Sequence, residues 1–539
     1  MRPRHLVPLL VLPAVFLAVL LTLAAPAAPA HAGGIVSVCD EAHLRAALAG
    51  GGTVTFSCSG TITLTATITI AADTTIDGSG QSVTISGNHA VRVFTVNSGV
   101  TLNLNALTVI DGSTTNIAFV DGGGIYNYGT LTVNNSTFSD NTASGNGGGI
   151  YNNDSLIVSN STFSGNSASY NGAGGGIVNQ DGTLTVSNST FAGNRTSAMG
   201  GGILNARGAL VVNNSTFSGN TASGEGGGIY SGHSTIEVSS STFSGNEARD
   251  GAGIYSSFGT VKVSNSTFSG NSAGWGGGIE NAGSIVEVSN STLSGNEADY
   301  GAGIRNWGSG STVKVSNSTF SGNNADFEGG GIYNSDFGAV VVSNSTFSGN
   351  GANPGGGINN GGNGTVTLRN TIVANNPRGG NCYGAITDGG GNLSYPDTAC
   401  PGINGDPVLG PLQDNGGPPT RWHSAQAAPR SMRRTTPSAP RLRSTTATSA
   451  ASPAPRARTA TSARLKRSFL PFSCRSSCDS AQPCRPRPGG RGRFSATTGW
   501  KSKGCDMLAN HLDRMCLVGA QIPTGPLVGL IAPSCQAES

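Results

Sequence analysis

Residues 200–225 read GGGILNARGALVVNNSTFSGNTASGE, and residues 226–250 read GGGIYSGHSTIEVSSSTFSGNEARD. The second stretch repeats the first in phase, and the pattern recurs ten times between Gly122 and Asn376, with a period of roughly 25 to 28 residues. A fixed period with one supersecondary unit per copy defines a stacked, quasi-one-dimensional protein.

One position carries the period. A large apolar residue returns at Phe138, Phe163, Phe191, Phe217, Phe243, Phe268, Leu293, Phe320, Phe347 and Ile372. Three residues later an Asn follows each time, at Asn141, Asn166, Asn194, Asn220, Asn246, Asn271, Asn296, Asn323, Asn350 and Asn375. Between the glycines and the Phe, apolar residues alternate at period two, as at Leu131 and Val133 or Ile236 and Val238. That is the strand signal, and Gly, Ser, Asn, Thr and Val disfavour helix. About three short strands per unit are expected, carrying the Ile of GGGI, the Val pair and the Phe.

Strands this short bury no face alone. Coiling the chain so that each copy lies on the last pairs every strand with its counterpart in parallel, at about 4.8 Å per coil. The predicted fold is all-β, a single-stranded right-handed parallel β-helix with a short N-terminal capping helix and a disordered C-terminal tail. Phe stacks on Phe inside, and the ten Asn form a hydrogen-bonded amide ladder at a bend. A second Asn series, Asn127, Asn152, Asn179, Asn205, Asn281, Asn306, Asn334 and Asn360, is broken at Ser231 and Ser256. Ala two residues after the ladder Asn, as at Ala143 and Ala222, suits a tight inward turn.

The pairing of GGGI with FSGN, FSDN, FAGN or LSGN resembles the repeat of chlamydial polymorphic outer-membrane proteins and related right-handed β-helix proteins of bacterial surfaces. The segment RNTIVANNPRGGNC…GDPVLGPLQDNGGP, residues 369–418, resembles secreted β-helix proteins with a choice-of-anchor domain. These resemblances imply a bacterial, secreted or surface-displayed protein with an adhesin-like role. They also bring in the pectin lyase-like fold, which hosts polysaccharide lyases and glycoside hydrolases.

The chain divides into five expected segments. Residues 1–32 read as a signal peptide, with Arg2 and Arg4, an apolar run and Ala30-His31-Ala32. Residues 33–120 hold the N-terminal cap and first coils, with Asp40 opening a short helix to Leu48. Residues 121–376 are the ten repeat coils and 377–419 a C-terminal cap segment. Cys39 and Cys58 flank one end, and Cys382 and Cys400 the other; two stapling disulfides suit an exported protein. Residues 420–539 form a basic low-complexity tail, with 19 of the 31 Lys/Arg and 4 of the 28 Asp/Glu. Read one nucleotide earlier with GC-rich codons, the chain from Thr420 permits HAVALGPGSPAIDAAD, the continuation that the choice-of-anchor resemblance implies. The tail is therefore expected to be frameshifted, and the gene's nucleotide sequence tests this.

Chemistry is sparse. The acids Glu247, Asp250, Glu297 and Asp299 sit in the bend after the Asn ladder and are weak Ca²⁺ candidates, with Glu247 and Glu297 two coils apart. Glu237, Lys262, Glu287 and Lys314 alternate on successive coils as a surface charge ladder. His89 and His233 stand alone. No Gly-rich segment opens a helix as a phosphate loop does. Arg-rich low complexity without interleaved aromatics does not point to nucleic acid, and C-x3-C-x5-C is not a zinc spacing. No catalytic residue and no cofactor is expected. The expected function is a non-enzymatic secreted or cell-surface β-helix, monomeric, with Ser/Thr/Asn-faced sides offered to extracellular glycans or cell-surface ligands. No nucleic-acid partner and no transmembrane span after signal cleavage are expected. The alternatives are a polysaccharide lyase or glycoside hydrolase, and the degraded product of a frameshifted surface-protein gene.

Overall fold

The computed structural model describes residues 33–410 and a short antiparallel pair, Leu412–Gln413 with His423–Ser424. The signal peptide and the basic tail, apart from that two-residue strand, lie outside the described residues. The chain winds into a parallel β-helix of about thirteen turns, with one short helix among the described residues. Three long sheets run its length: a 15-stranded sheet carrying the Val pairs, a 13-stranded sheet carrying the Ile of GGGI, and a 15-stranded sheet carrying the Phe. We call them the valine, isoleucine and phenylalanine sheets.

Register holds from coil to coil because every inward position repeats. Ile150 pairs with Ile177, Val186 with Val212, and Phe217 with Phe243. The Phe rings stack with centroids 4.5–4.9 Å apart and planes within 2–10° of each other. Free ring pairs favour offset or edge-to-face geometry; here backbone register imposes the stack. The small angles also show that successive coils are barely rotated. Phe217 is fully buried. Phe217→Ala is expected to cost about 3–5 kcal/mol in urea unfolding; a loss below 1 kcal/mol would mean that the interior closes over the gap.

The Asn ladder lies inside the wall. Asn194 Nδ2 donates to Asn220 Oδ1 at 2.9 Å, and Asn220 Nδ2 to Asn246 Oδ1 at 2.9 Å. Each amide also donates to a carbonyl one coil back, that of the Phe in most coils, as Asn220 Nδ2 does to Phe191 O, and from Asn166 onward each accepts from the backbone N–H of the preceding ladder Asn. No polar atom of Asn220 is left without a partner, which lets it sit at 0 % exposure. The second series is bonded likewise from Asn127 to Asn205 and from Asn281 to Asn360. At the break, Ser231 bonds Ser234 and Ser256 bonds Ser284.

The structure corrects three expectations. The first is register in the last coil. Val373, not Ile372, pairs with Phe347, and the amide ladder continues from Asn350 to Asn376, not Asn375. Asn375 is exposed with φ 57°, in the place of Gly349, because Asn tolerates the left-handed region that Gly fills elsewhere. The second is the strand count. From Thr142 to Glu328 each coil has a fourth strand, and these form an 8-stranded sheet. The third is the Ala positions. Ala143, Ala168 and their equivalents are not a tight turn; they are the inward residues of that alanine sheet.

At the N-terminus, helix α1 (Glu41–Leu48) starts at Asp40, whose carboxylate accepts from the His43 N–H at 2.8 Å. Leu44 buries fully against the first coils. Disulfides join Cys39 to Cys58 beside the helix and Cys382 to Cys400 at the other end. On the valine sheet, Glu237 pairs with Lys262 at 3.5 Å and Glu287 with Lys314 at 3.0 Å. These exposed pairs contribute up to about 1 kcal/mol each.

Candidate functional site

After the Asn ladder the chain runs outward along the alanine sheet, turns at a tip, and returns along Gly-Gly-Gly or Gly-Ala-Gly to the isoleucine sheet. The two legs press together where Ala222, Ala248 and Ala252 meet, forming a ridge along the rod. The first Gly of each return takes positive φ, 61° at Gly251, 64° at Gly276 and 63° at Gly301. A Cβ at Gly276 would lie 2.7 Å from Glu280 Oε2, and one at Gly301 would lie 2.8 Å from the Arg305 Cβ. Glycine is therefore required where the ridge meets the sheet.

The ridge tip packs against the outward residues of the isoleucine sheet, and we call the line where they meet the groove. Its floor is the outward residue after each Ile: Tyr126, Tyr151, Val178, Leu204, Tyr230, Tyr255, Glu280, Arg305, Tyr333 and Asn359, in register on successive coils. Its wall is the ridge tip, including Met199, Trp275, Tyr300 and Glu328. Wall and floor touch. Met199 and Ala198 pack on Val178 and Leu204, and Tyr300 lies 5.7 Å from Tyr333. On an open sheet face these outward side chains would be largely solvated. Here the Tyr rings are half-buried, and burial pushes the Tyr151 and Tyr333 hydroxyls up to about 12.

Coils 275–307 carry the most unusual chemistry. Arg305 Nη1 donates to Glu280 Oε1 at 2.6 Å, with the side chains 11 % and 1 % exposed. The guanidinium lies 4.4 Å from the Trp275 ring centre and 5.2 Å from that of Trp307, in cation–π contact. Glu280 Oε2 and Arg305 Nε have no partner among the described residues. Desolvation drives the Glu280 carboxyl up to about 8, although Arg305 pulls it down. One coil back, Tyr255 lies in the field of Glu280, Glu225 and Asp250, and its hydroxyl is pushed well above the usual value, chiefly by burial.

The sequence-derived Ca²⁺ candidates do not converge. Glu247 and Glu297 are exposed and flank Ser272 in the alanine sheet; Asp299 is exposed. Asp250 is buried and bonded by Arg249 at 3.0 Å, and Arg249 also bridges Glu225. Among the described residues no three His, Cys, Asp or Glu groups are placed to hold a metal. The composition-based reading missed Glu280 and Arg305. Their signal is a departure from the repeat: GGGIE and GAGIR stand where most copies have Tyr, Val or Leu after the Ile. His233 is not isolated; it stacks on Phe258 at 5.2 Å, beside the Arg207–Asp181 pair, in a shallow trough on another corner.

Fold and groove together define a β-solenoid with one differentiated face. The family model for a right-handed β-helix region matches residues 99–268 and 203–376, together just over half of the chain, and the protein belongs to that family. No curated protein matches the chain. No helix among the described residues is long and apolar enough to cross a membrane.

Proposed function

We propose that this protein is a secreted or cell-surface β-helix that binds a linear glycan lengthwise in the aromatic groove, without cleaving it. The carrying observation is the row of half-buried aromatic side chains at coil spacing. Tyr126 and Tyr151 stack at 4.9 Å, Tyr230 and Tyr255 at 5.4 Å, and Trp275, Tyr300 and Tyr333 continue the row. Aromatic side chains beside a few polar groups are what concave ligand sites use. A ring in an extended chain advances by about one coil, so successive rings meet successive coils.

Isothermal titration of the full chain with soluble oligosaccharides tests this. Trp275 is 42 % exposed. Trp275→Ala is expected to weaken binding by about tenfold or more, with circular dichroism unchanged. Equal affinity in the variant would remove the groove from the reading. A second reading, a glycan-cleaving enzyme, has one observation in its favour: Glu280 holds its proton up to about pH 8, as a general acid must. Release of new reducing ends, lost in Glu280→Gln, would favour it.

A further inference from the structure

We infer that the glycan is non-acidic, made of neutral or amino sugars, and that polyuronates are refused; this rests on the groove being the glycan site. Each of the three guanidiniums in the groove is held by the protein, and of their buried nitrogens only Arg305 Nε is left without a partner. Arg305 is bonded by Glu280 and lies against two indole rings. Arg249 is held by Glu225 and Asp250. At the N-terminal end, Arg92 donates to Gly122 O at 2.8 Å, Asp121 O at 2.6 Å and Thr95 Oγ1 at 3.1 Å, over the Tyr126 ring.

Against these three cations the groove sets five carboxyls: Asp121, Glu225, Asp250, Glu280 and Glu328. Glu328 is bonded to the Tyr333 hydroxyl, and Asp121 acts electrostatically on Tyr126 and Tyr151. An incoming sugar carboxylate meets Arg249 and Arg92 only beside carboxylates, where like charge disfavours the wrong partner, and Arg305 only buried behind Glu280 and two indole rings. A binder of polyuronates needs the reverse, with guanidinium or ammonium groups pointing free into the groove. Among the described residues the buried atoms without a partner are Glu280 Oε2, Asn359 Oδ1 and Arg305 Nε, two oxygens and one donor, and none of them reaches the surface. With more carboxyls than guanidiniums along it, this groove suits a ligand that brings donors rather than a carboxylate: hydroxyls, acetamido N–H groups or ammonium.

The test is titration of the full chain with three hexasaccharides at 20-fold different salt concentrations: β-1,4-linked N-acetylglucosamine, glucosamine and galacturonate. The expected result is binding of at least one of the first two, weakened by about tenfold or more in Trp275→Ala, with galacturonate at least about a hundredfold weaker. Galacturonate binding as tightly as the others overturns this inference while leaving the groove as a glycan site. No binding of any of the three overturns the glycan reading itself, and with it this inference. A double variant, Glu225→Gln with Asp250→Asn, removes two of the carboxyls that hold Arg249. It is expected to gain galacturonate affinity by about tenfold or more; no gain in a folded variant would mean that charge in the groove does not select the ligand.

Discussion

Asn220→Asp is expected to destabilise the β-helix by at least about 3 kcal/mol at pH 7, the largest loss of any single-atom exchange in the repeat. The amide occupies a fully buried site where its nitrogen donates to Asn246 Oδ1 and Phe191 O. A carboxylate there has no hydrogen to give, so two carbonyl oxygens each lose a donor and face a negative charge, Asn246 Oδ1 keeping only the Asn220 backbone N–H. Its oxygens still accept from Asn194, which limits the damage to one side. Protonation restores one donor, so the loss is expected to shrink at pH 3 relative to the parent at the same pH. Urea unfolding at both pH values measures this. A loss under 1 kcal/mol at pH 7 would mean that the ladder amides are interchangeable with any small polar group.

The second large effect is at the buried ion pair. Arg305→Met is expected to cost about 3–5 kcal/mol at pH 9, because it leaves the Glu280 carboxylate buried without its counter-charge. The sign with pH follows from the raised value of Glu280. Its ordinary value of 4.5 moves to about 8 in the folded chain, so between these the folded state holds a proton that the unfolded state releases. The stabilisation from that proton is complete below about pH 4.5 and is lost as pH climbs through 8. At pH 6 Glu280 is protonated in the folded chain, and the Arg305→Met penalty is expected to be smaller. Adding Glu280→Gln to Arg305→Met is expected to recover much of the stability at pH 9 and to flatten its pH dependence. Equal losses at pH 6 and 9 would show that packing against Trp275 and Trp307, rather than charge, is what Arg305 supplies.

The rod was legible because its evidence is redundant. Phe, the Val pair and Ile each mark the same period, and one slip would turn a whole strand inside out. Where redundancy fails, so does the reading. In the last coil, T-I-V-A-N-N offers two adjacent apolar residues and two adjacent Asn, and only the backbone conformation of Asn375 separates them. The fourth strand was hidden because its first copies are two residues long, below the length at which alternation is visible. The groove was hidden for a different reason. Alternation assigns Tyr255, Glu280 and Arg305 to the outside of the sheet, and that is correct; it cannot tell that a ridge of the same chain rises beside them. The ridge depends on positive φ at the first glycine of each Gly-Gly-Gly or Gly-Ala-Gly return, a conformational fact that composition expresses only as flexibility.

The near-parallel Phe rings have a consequence for how such a molecule changes over generations. A tower whose storeys are scarcely rotated lets one storey be excised or duplicated while the floors on either side still meet flush, each backbone bond finding an identical replacement. Losing residues 200–225 would bring Ile177 onto Ile229 and Asn194 onto Asn220's neighbour Asn246, with these inward contacts remade and surface pairs such as Arg207 with Asp181 and Arg249 with Glu225 lost. The Glu280–Arg305 couple is different, since it is buried, its halves belong to adjacent storeys and neither has a twin. Rearrangement can lengthen or shorten this protein almost anywhere, but a cut between those two residues' coils would separate a pair that no other copy replaces.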